Sequence, residues 1–314
     1  MTRTLLLGAL LVCALRSLGC DVCGIFLGIQ PNDRTSSFGL VYRMRYLEGR
    51  FEPPRTAVLT KHGGADDLPV PTHRTETYQA LELRADIRLG QRWSLLGILP
   101  VVNNYASSNG RVDADIYGVA DPTVLARWIA VNTKQKADTV RWRHRFTIGA
   151  GGKLPVGRTT MRYDEELVDH DLQPGTGTFD GVISLEYLVR HNGWGAGFNS
   201  IGRWNAANNE GFRAGHGVNG TLELFRVFEG GHVQWMPLVG AYAEVMAQDR
   251  LAGIDDAATG GRTLFSHMGV RLWWRSFGGH VLWQHALRHD QGRDMMPDRE
   301  RLVLGLTYLL RKQA

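Results

Sequence analysis

Two cysteines three residues apart, Cys20-Asp21-Val22-Cys23, are the first feature with chemistry in it. In an oxidising compartment such a pair can close a disulfide. Metal binding is a second use. A structural zinc site takes four ligands, however, so copper or zinc at Cys20 and Cys23 would need His62, His73 or another protein to complete the set. No His follows Cys23, so the haem-attachment pattern Cys-x-x-Cys-His is not met. Elsewhere, Ser266 and His267 are neighbours on a strand-like segment and point to opposite faces, which defeats direct nucleophile-base pairing. His285 and His289 would share one face, a weak metal or proton-relay pattern. The stretch Tyr163 to Asp171 offers Asp164, Glu165, Glu166, Asp169 and Asp171 to a hard cation such as calcium, but without the Asp/Asn/Gly spacing of an EF-hand loop. No catalytic constellation stands out, no cofactor is implied, and the expectation is a protein that is not an enzyme.

The N-terminus supplies the compartment. Met1-Thr2-Arg3 is basic, and Thr4 to Leu15 is an apolar run of signal-peptide length, too short to remain as a membrane span. Cys13 leaves with it. Ser17-Leu18-Gly19-Cys20 loosely resembles a lipoprotein processing site, which would make Cys20 a lipidated N-terminal residue; ordinary cleavage near Gly19 is the alternative. The expected division is residues 1–19 as signal peptide, 20–35 as a periplasmic segment with the cysteine pair, and 36–314 as one folded unit.

That unit has a rhythm of about a dozen segments in which apolar and polar residues alternate, so that successive side chains go to opposite faces. Leu81, Leu83, Ala85, Ile87 and Leu89 alternate with Glu82, Arg84, Asp86 and Arg88; Val270, Leu272 and Trp274 alternate with Arg271 and Arg275. One phase suits lipid and the other water. The connections are alternately short and long. Tight turns are expected at Gly90-Gln91, His191-Asn192-Gly193, Glu229-Gly230-Gly231 and Phe277-Gly278-Gly279. Wide connections are expected at Asn103 to Tyr117, Val156 to Thr178, Asn205 to Ala214, Gln248 to Arg262 and Arg288 to Arg299. This predicts an all-β fold: a transmembrane antiparallel up-and-down β-barrel of about twelve strands, with short periplasmic turns and long extracellular loops. A soluble β-sandwich alternates in the same way and is the competing fold. Nine Trp and nine Tyr are consistent with aromatic girdles, for example Trp93, Trp128, Trp194, Trp204, Trp235, Trp273, Trp274 and Trp283. The formal charge of +5 is too modest to argue for nucleic acid, and no basic recognition motif accompanies it.

The polar phase names the candidate lumen lining: Arg43, Arg45, Glu82, Arg84, Asp86, Arg88, Glu186, Arg190, Glu223, Arg226, Arg271 and Arg275. Both signs occur, with Arg in excess. Twelve strands lie between small filled barrels and wide porins, so these charges either pair and plug the interior or line a narrow pore.

Four further pieces carry a resemblance. Trp93 to Tyr105 contains Ile98-Leu99-Pro100-Val101. It is followed by Gly118-Val119-Ala120-Asp121-Pro122, Gly152-Lys153-Leu154-Pro155-Val156-Gly157 and Gln173-Pro174-Gly175-Thr176-Gly177. In order and spacing these resemble the outer-membrane barrel transporters of the phenol meta-pathway type, over roughly residues 90 to 230. Ala120 stands where that pattern has a second Gly, and the chain ends without the terminal aromatic usual in barrel-assembly signals. On their own physics, Pro100 and Pro155 lack an amide hydrogen and suit strand ends or bulges. The glycines suit sharp turns. The motifs therefore read as architectural.

The expected function is an outer-membrane channel or transporter for small solutes. An Arg-rich pore would favour anions by its field. A closed structural or interaction barrel is the alternative, and a barrel enzyme acting on lipid a lesser one. The expected partners are outer-membrane lipid, lipopolysaccharide and a small solute, with no nucleic acid.

Overall fold

A computed structural model of the chain describes residues 35–51, 72–133, 142–257, 259–292 and 296–310. Cys20, Cys23, His62 and residues 1–19, expected to be a signal peptide, lie outside them. Twelve strands make the wall: β1 (Ser36–Phe51), β2 (Thr72–Arg88), β3 (Trp93–Ser108), β4 in two pieces (Arg111–Val119 and Thr123–Asn132), β5 (Arg143–Lys153), β6 (Asp180–His191), β7 (Trp194–Trp204), β8 (Gly217–Arg226), β9 (Val233–Met246), β10 (Gly261–Trp274), β11 (Phe277–Gln291) and β12 (Asp298–Leu310). Each pairs antiparallel with its sequence neighbours, and β1 also pairs with β12, from Ser36 opposite Leu310 to Leu47 opposite Asp298. The sheet is thus a closed twelve-stranded up-and-down barrel.

Burial decides between barrel and sandwich, because it is inverted relative to a soluble protein. On β2, Leu83 is 55% exposed while its neighbour Glu82 is 2% exposed. At the seam, Leu40 stands between Leu83 on β2 and Leu306 on β12, and all three face out. Charged residues from every side are buried within. A soluble sandwich would turn both phases over, so the sandwich is excluded. Part of the interior is nonetheless apolar: Val41, Phe225, Met236, Tyr242, Phe265, Leu282 and Val303 pack together inside the wall. Trp273 belongs to this inward phase, packed against that cluster, whereas Trp93, Trp128, Trp194, Trp235 and Trp274 face out near the short-turn end.

Three local expectations shift. The turn placed at Phe277-Gly278-Gly279 is at Arg275-Ser276, with Arg275 at φ 54°, and the two glycines pair within β11. The wide connection expected from Asn103 to Tyr117 is mostly strand. The chain reverses at Asn109 (φ 50°) and Gly110 (φ 82°), an Asn-Gly pair whose positive φ values fit the tight hairpin turn. Pro100 stands inside β3, opposite Glu82, at the level where β4 is interrupted by Ala120-Asp121-Pro122; there the Ala120 N–H donates to the Pro100 carbonyl. Strands β1, β2 and β3 have 16, 17 and 16 residues, where about ten suffice to cross a bilayer. This side therefore stands as a tall wall beyond the apolar band.

Two residues of equal exposure should behave differently. Leu222 on the outer wall and Leu251 on a long-loop hairpin are each 54% exposed. Leu222→Arg is expected to cost about 2–4 kcal/mol in urea titration of liposome-refolded protein. Leu251→Arg should change stability by less than about 0.5 kcal/mol.

Candidate lumen and vestibule

The inward polar phase of the strands meets across the barrel in ion-paired clusters. Glu82 lies between two arginines, accepting from Arg43 Nε at 2.6 Å and Arg84 Nε at 2.7 Å. Arg45 forks onto Asp298. Arg301 donates to Glu244 at 2.8 Å, and the Tyr242 hydroxyl donates to the same carboxylate oxygen at 2.9 Å. Fully buried Glu223 receives both guanidinium nitrogens of Arg271 at 2.9 and 3.0 Å and faces His267 Nε2 at 3.0 Å. Asp86 pairs with Arg127, and Glu186 with Arg145 at 2.5 Å. Such pairs satisfy each other's charge where water is excluded, and removing one member strands the other.

The remaining sequence candidates are placed apart from these clusters. Arg190 lies over the Phe225 ring at 5.7 Å. Arg88 donates to the Gln91 carbonyl at the short-turn rim. Arg275 stands in its turn above Trp274 at 5.4 Å. Arg226 is on the outside, directly opposite Trp194, because β8 turns Leu222, Leu224 and Arg226 outward and Glu223 and Phe225 inward. Ser266 and His267 do face opposite ways: His267 joins Glu223 inside, and the Ser266 hydroxyl donates to the His285 carbonyl. His285 and His289 do not share a face. A bulge opposite Leu264 and Phe265 shifts the phase, so His285 pairs outward with Glu300 at 2.6 Å while His289 lies opposite inward Thr263. Among the described residues, no three His, Cys, Asp or Glu side chains converge to hold a metal.

A second cluster, assembled by the quoted motifs, lies at the long-loop end. Asp121 Oδ1 accepts the amides of Val156 at 3.0 Å and Gly157 at 2.8 Å; its Oδ2 accepts the Thr176 amide at 3.0 Å and Lys153 Nζ at 2.8 Å. Lys153 also pairs with Asp180 at 2.7 Å. The backbones of Gly157 and Gly175 cross so closely that a Cβ on Gly157 would lie 2.7 Å from Gly175 Cα, which is why no side chain fits there. This cluster pins the connection 154–179 inside the mouth. Buried Gln173 braces it, donating to the carbonyls of Met161 at 3.0 Å and Val168 at 2.8 Å. Val168 and Leu172 pack on Ala106, Ala114 and Ile116 of the tall wall.

Two cavities result. One of about 150 Å³ lies in the lumen, bounded by Arg43, Arg45, Glu82, Lys153 and Arg301 from the wall and by Gln173, Pro174 and Thr176 from the folded-in connection. The other, about 410 Å³, forms a vestibule at the long-loop mouth, bounded by Glu76, Asp169, Asp171, Asp249, Arg74 and Arg250. Tyr78 lines both. Its hydroxyl donates to Glu76 at 3.0 Å, and Glu76 pairs with Arg74 at 2.7 Å. Across the vestibule, His170 stacks on Phe212, centroids 4.0 Å apart, which links two long connections. On those connections, a hydrogen bond from Arg250 holds the Asp255 carboxyl below the usual carboxylate range. Burial, then the Arg213 charge, lowers the His216 pKa, which agrees with its Nδ1 accepting the Asn205 amide.

The sequence reading missed Asp121, Lys153 and Asp180 as a functional set, although two of them stand in the quoted motifs. It also missed Tyr78, Glu244, Asp298 and Arg301, whose only signal is their phase within alternating strands.

No protein-family model matches the chain, and no curated protein matches it. Solved structures do. An outer membrane channel from Pseudomonas putida F1 superposes with a TM-score of 0.58 at 14% identity, covering 90% of this chain and 100% of that one. The β domain of the Bordetella autotransporter BrkA gives 0.46 at 13% identity, covering 88% and 99%. LpxR from Salmonella typhimurium gives 0.37 at 10%, covering 87% and 100%. At such identity the likeness to the first shows a shared fold.

Asp121→Ala would leave Lys153 short of a counter-charge and three amides without their acceptor, costing about 3 kcal/mol locally. The expected result is faster protease cleavage within 158–167, with the barrel still migrating as a compact, heat-modifiable band.

Proposed function

We propose that this protein is an outer-membrane channel for small solutes, narrow and nearly closed at rest. The observation that carries the reading is the pair of cavities, vestibule and lumen, both lined by Tyr78 and by charged side chains inside a barrel whose outer wall is apolar. The likeness in fold to a protein described as an outer membrane channel supports it. In this orientation the short turns are periplasmic and the long connections extracellular. Lipid contacts the leucine-rich wall, and lipopolysaccharide meets the acidic outer loops through bridging cations.

An anion preference follows from the lumen cavity, where Arg43, Arg45, Arg203, Arg301 and Lys153 line the space against Glu82 and Asp121. The preference is weak, because carboxylates just outside the cavity, Glu244, Asp298 and Asp180, neutralise much of this charge. The protein acts without catalysis in this reading: Ser266 and His267 are separated by the wall itself. A closed structural barrel is the second reading, favoured by the ion pairing and by the apolar packing of Phe225, Met236, Phe265 and Leu282 across part of the interior.

Planar-bilayer recording under a salt gradient separates the two. Small steps with mild anion selectivity are expected from the wild type. Tyr78→Ala, which removes a ring lining both cavities, should raise unit conductance about twofold or more. Protein that inserts, as judged by heat-sensitive gel mobility, yet passes no current as wild type or as Tyr78→Ala would sink the channel reading.

A further inference from the structure

Arg226 sits at an unusual place for a cation. It closes the outward phase of β8, directly below Leu222 and Leu224, which are 54% and 55% exposed. Its guanidinium is 5.1 Å from the Trp194 ring on one side and 4.8 Å from the Phe228 ring on the other. Phe228 in turn stacks on Trp235, centroids 4.4 Å apart. Among the described residues, the Arg226 side chain makes no ion pair and no hydrogen bond. The rings hold the exposed guanidinium through cation-π contact. Its N–H donors remain unsatisfied by the protein, at the depth where the apolar wall ends.

We infer that this outer-wall cluster of Arg226, Trp194, Phe228 and Trp235 binds an anionic glycerophospholipid of the periplasmic leaflet, phosphate on the guanidinium and acyl chains along Leu222 and Leu224. The inference rests on the membrane orientation proposed above. A planar guanidinium matches phosphate oxygens with paired, charge-assisted hydrogen bonds. A lipid of net negative charge is preferred over a zwitterionic one because the described short turns are basic. Arg92, Arg143, Arg226 and Arg275 stand there against one carboxylate, Glu229, which already accepts from Gln234 at 3.1 Å. Arg275 above Trp274 repeats half of the arrangement farther round the rim.

The test is native mass spectrometry of the full chain in detergent, offered phosphatidylglycerol and phosphatidylcholine at equal concentration. Wild type should retain phosphatidylglycerol preferentially. Arg226→Gln should lower that retention about tenfold, and Trp194→Leu, which keeps the charge but removes one ring, about threefold. Equal retention of the two lipids by wild type, or undiminished phosphatidylglycerol on Arg226→Gln, overturns the site. Flotation of the same preparations with liposomes separates the two readings. Protein that floats but shows no lipid preference refutes the site and leaves the channel standing; protein that does not float refutes the membrane orientation and the site with it.

Discussion

The rest of the structure depends on closure. In hydrocarbon there is no water to satisfy a peptide N–H or carbonyl, so a sheet that meets lipid cannot leave an edge unpaired. The pairing of β1 with β12 removes that edge. Once the sheet is closed, its two faces see different solvents, and the ordinary rule of burial reverses. Leu83 is exposed because its environment is lipid, and Glu82, one residue away, is buried because its environment is other charges.

The interior then has to deal with those charges in little space. It does so largely by pairing across strands, with same-strand pairs such as Glu82 and Arg84 completing the set. Glu223 on β8 is held by Arg271 and His267 from β10, and Asp298 on β12 by Arg45 from β1. Each pair is dictated by register, since a slip of one residue would carry its partner to the lipid face. Ion pairing and the Phe225-Met236-Phe265 packing narrow the lumen around the small cavity bounded by Arg43, Glu82 and Arg301. The same contacts that stabilise the barrel therefore restrict what could pass through it.

The long-loop mouth uses the same logic with backbone in place of side chains. The break in β4 releases Asp121 from the ladder, and the freed carboxylate gathers amides from both ends of the connection 154–179. Lys153 and Asp180, from the strands that flank that connection, supply the matching charges. With the connection pinned against the tall wall, Tyr78 lines both cavities. Its position on β2 is unremarkable; the folded-in connection, which bounds both cavities, gives it that place.

Much of this was legible in the residues themselves. Period-two alternation in Gln79 to Leu89, together with alternately short and long connections, is enough to specify strand number, antiparallel order and which phase faces lipid, because side-chain direction in a strand follows from position alone. Where a bulge or an overlooked turn interrupts that count, the inference fails. His289 is carried off the face of His285 by one extra residue. Asn109-Gly110 closes a hairpin inside what reads as a loop. Arg226 is a different case: three residues from Glu223 on an unbroken strand, it falls in the outward phase by alternation alone and does not belong with the lumen lining. The partners of the charges are not local properties either. Asp121, Lys153 and Thr176 meet across some 55 residues of chain, and only the closed barrel, by fixing every strand at once, decides which carboxylate each arginine reaches.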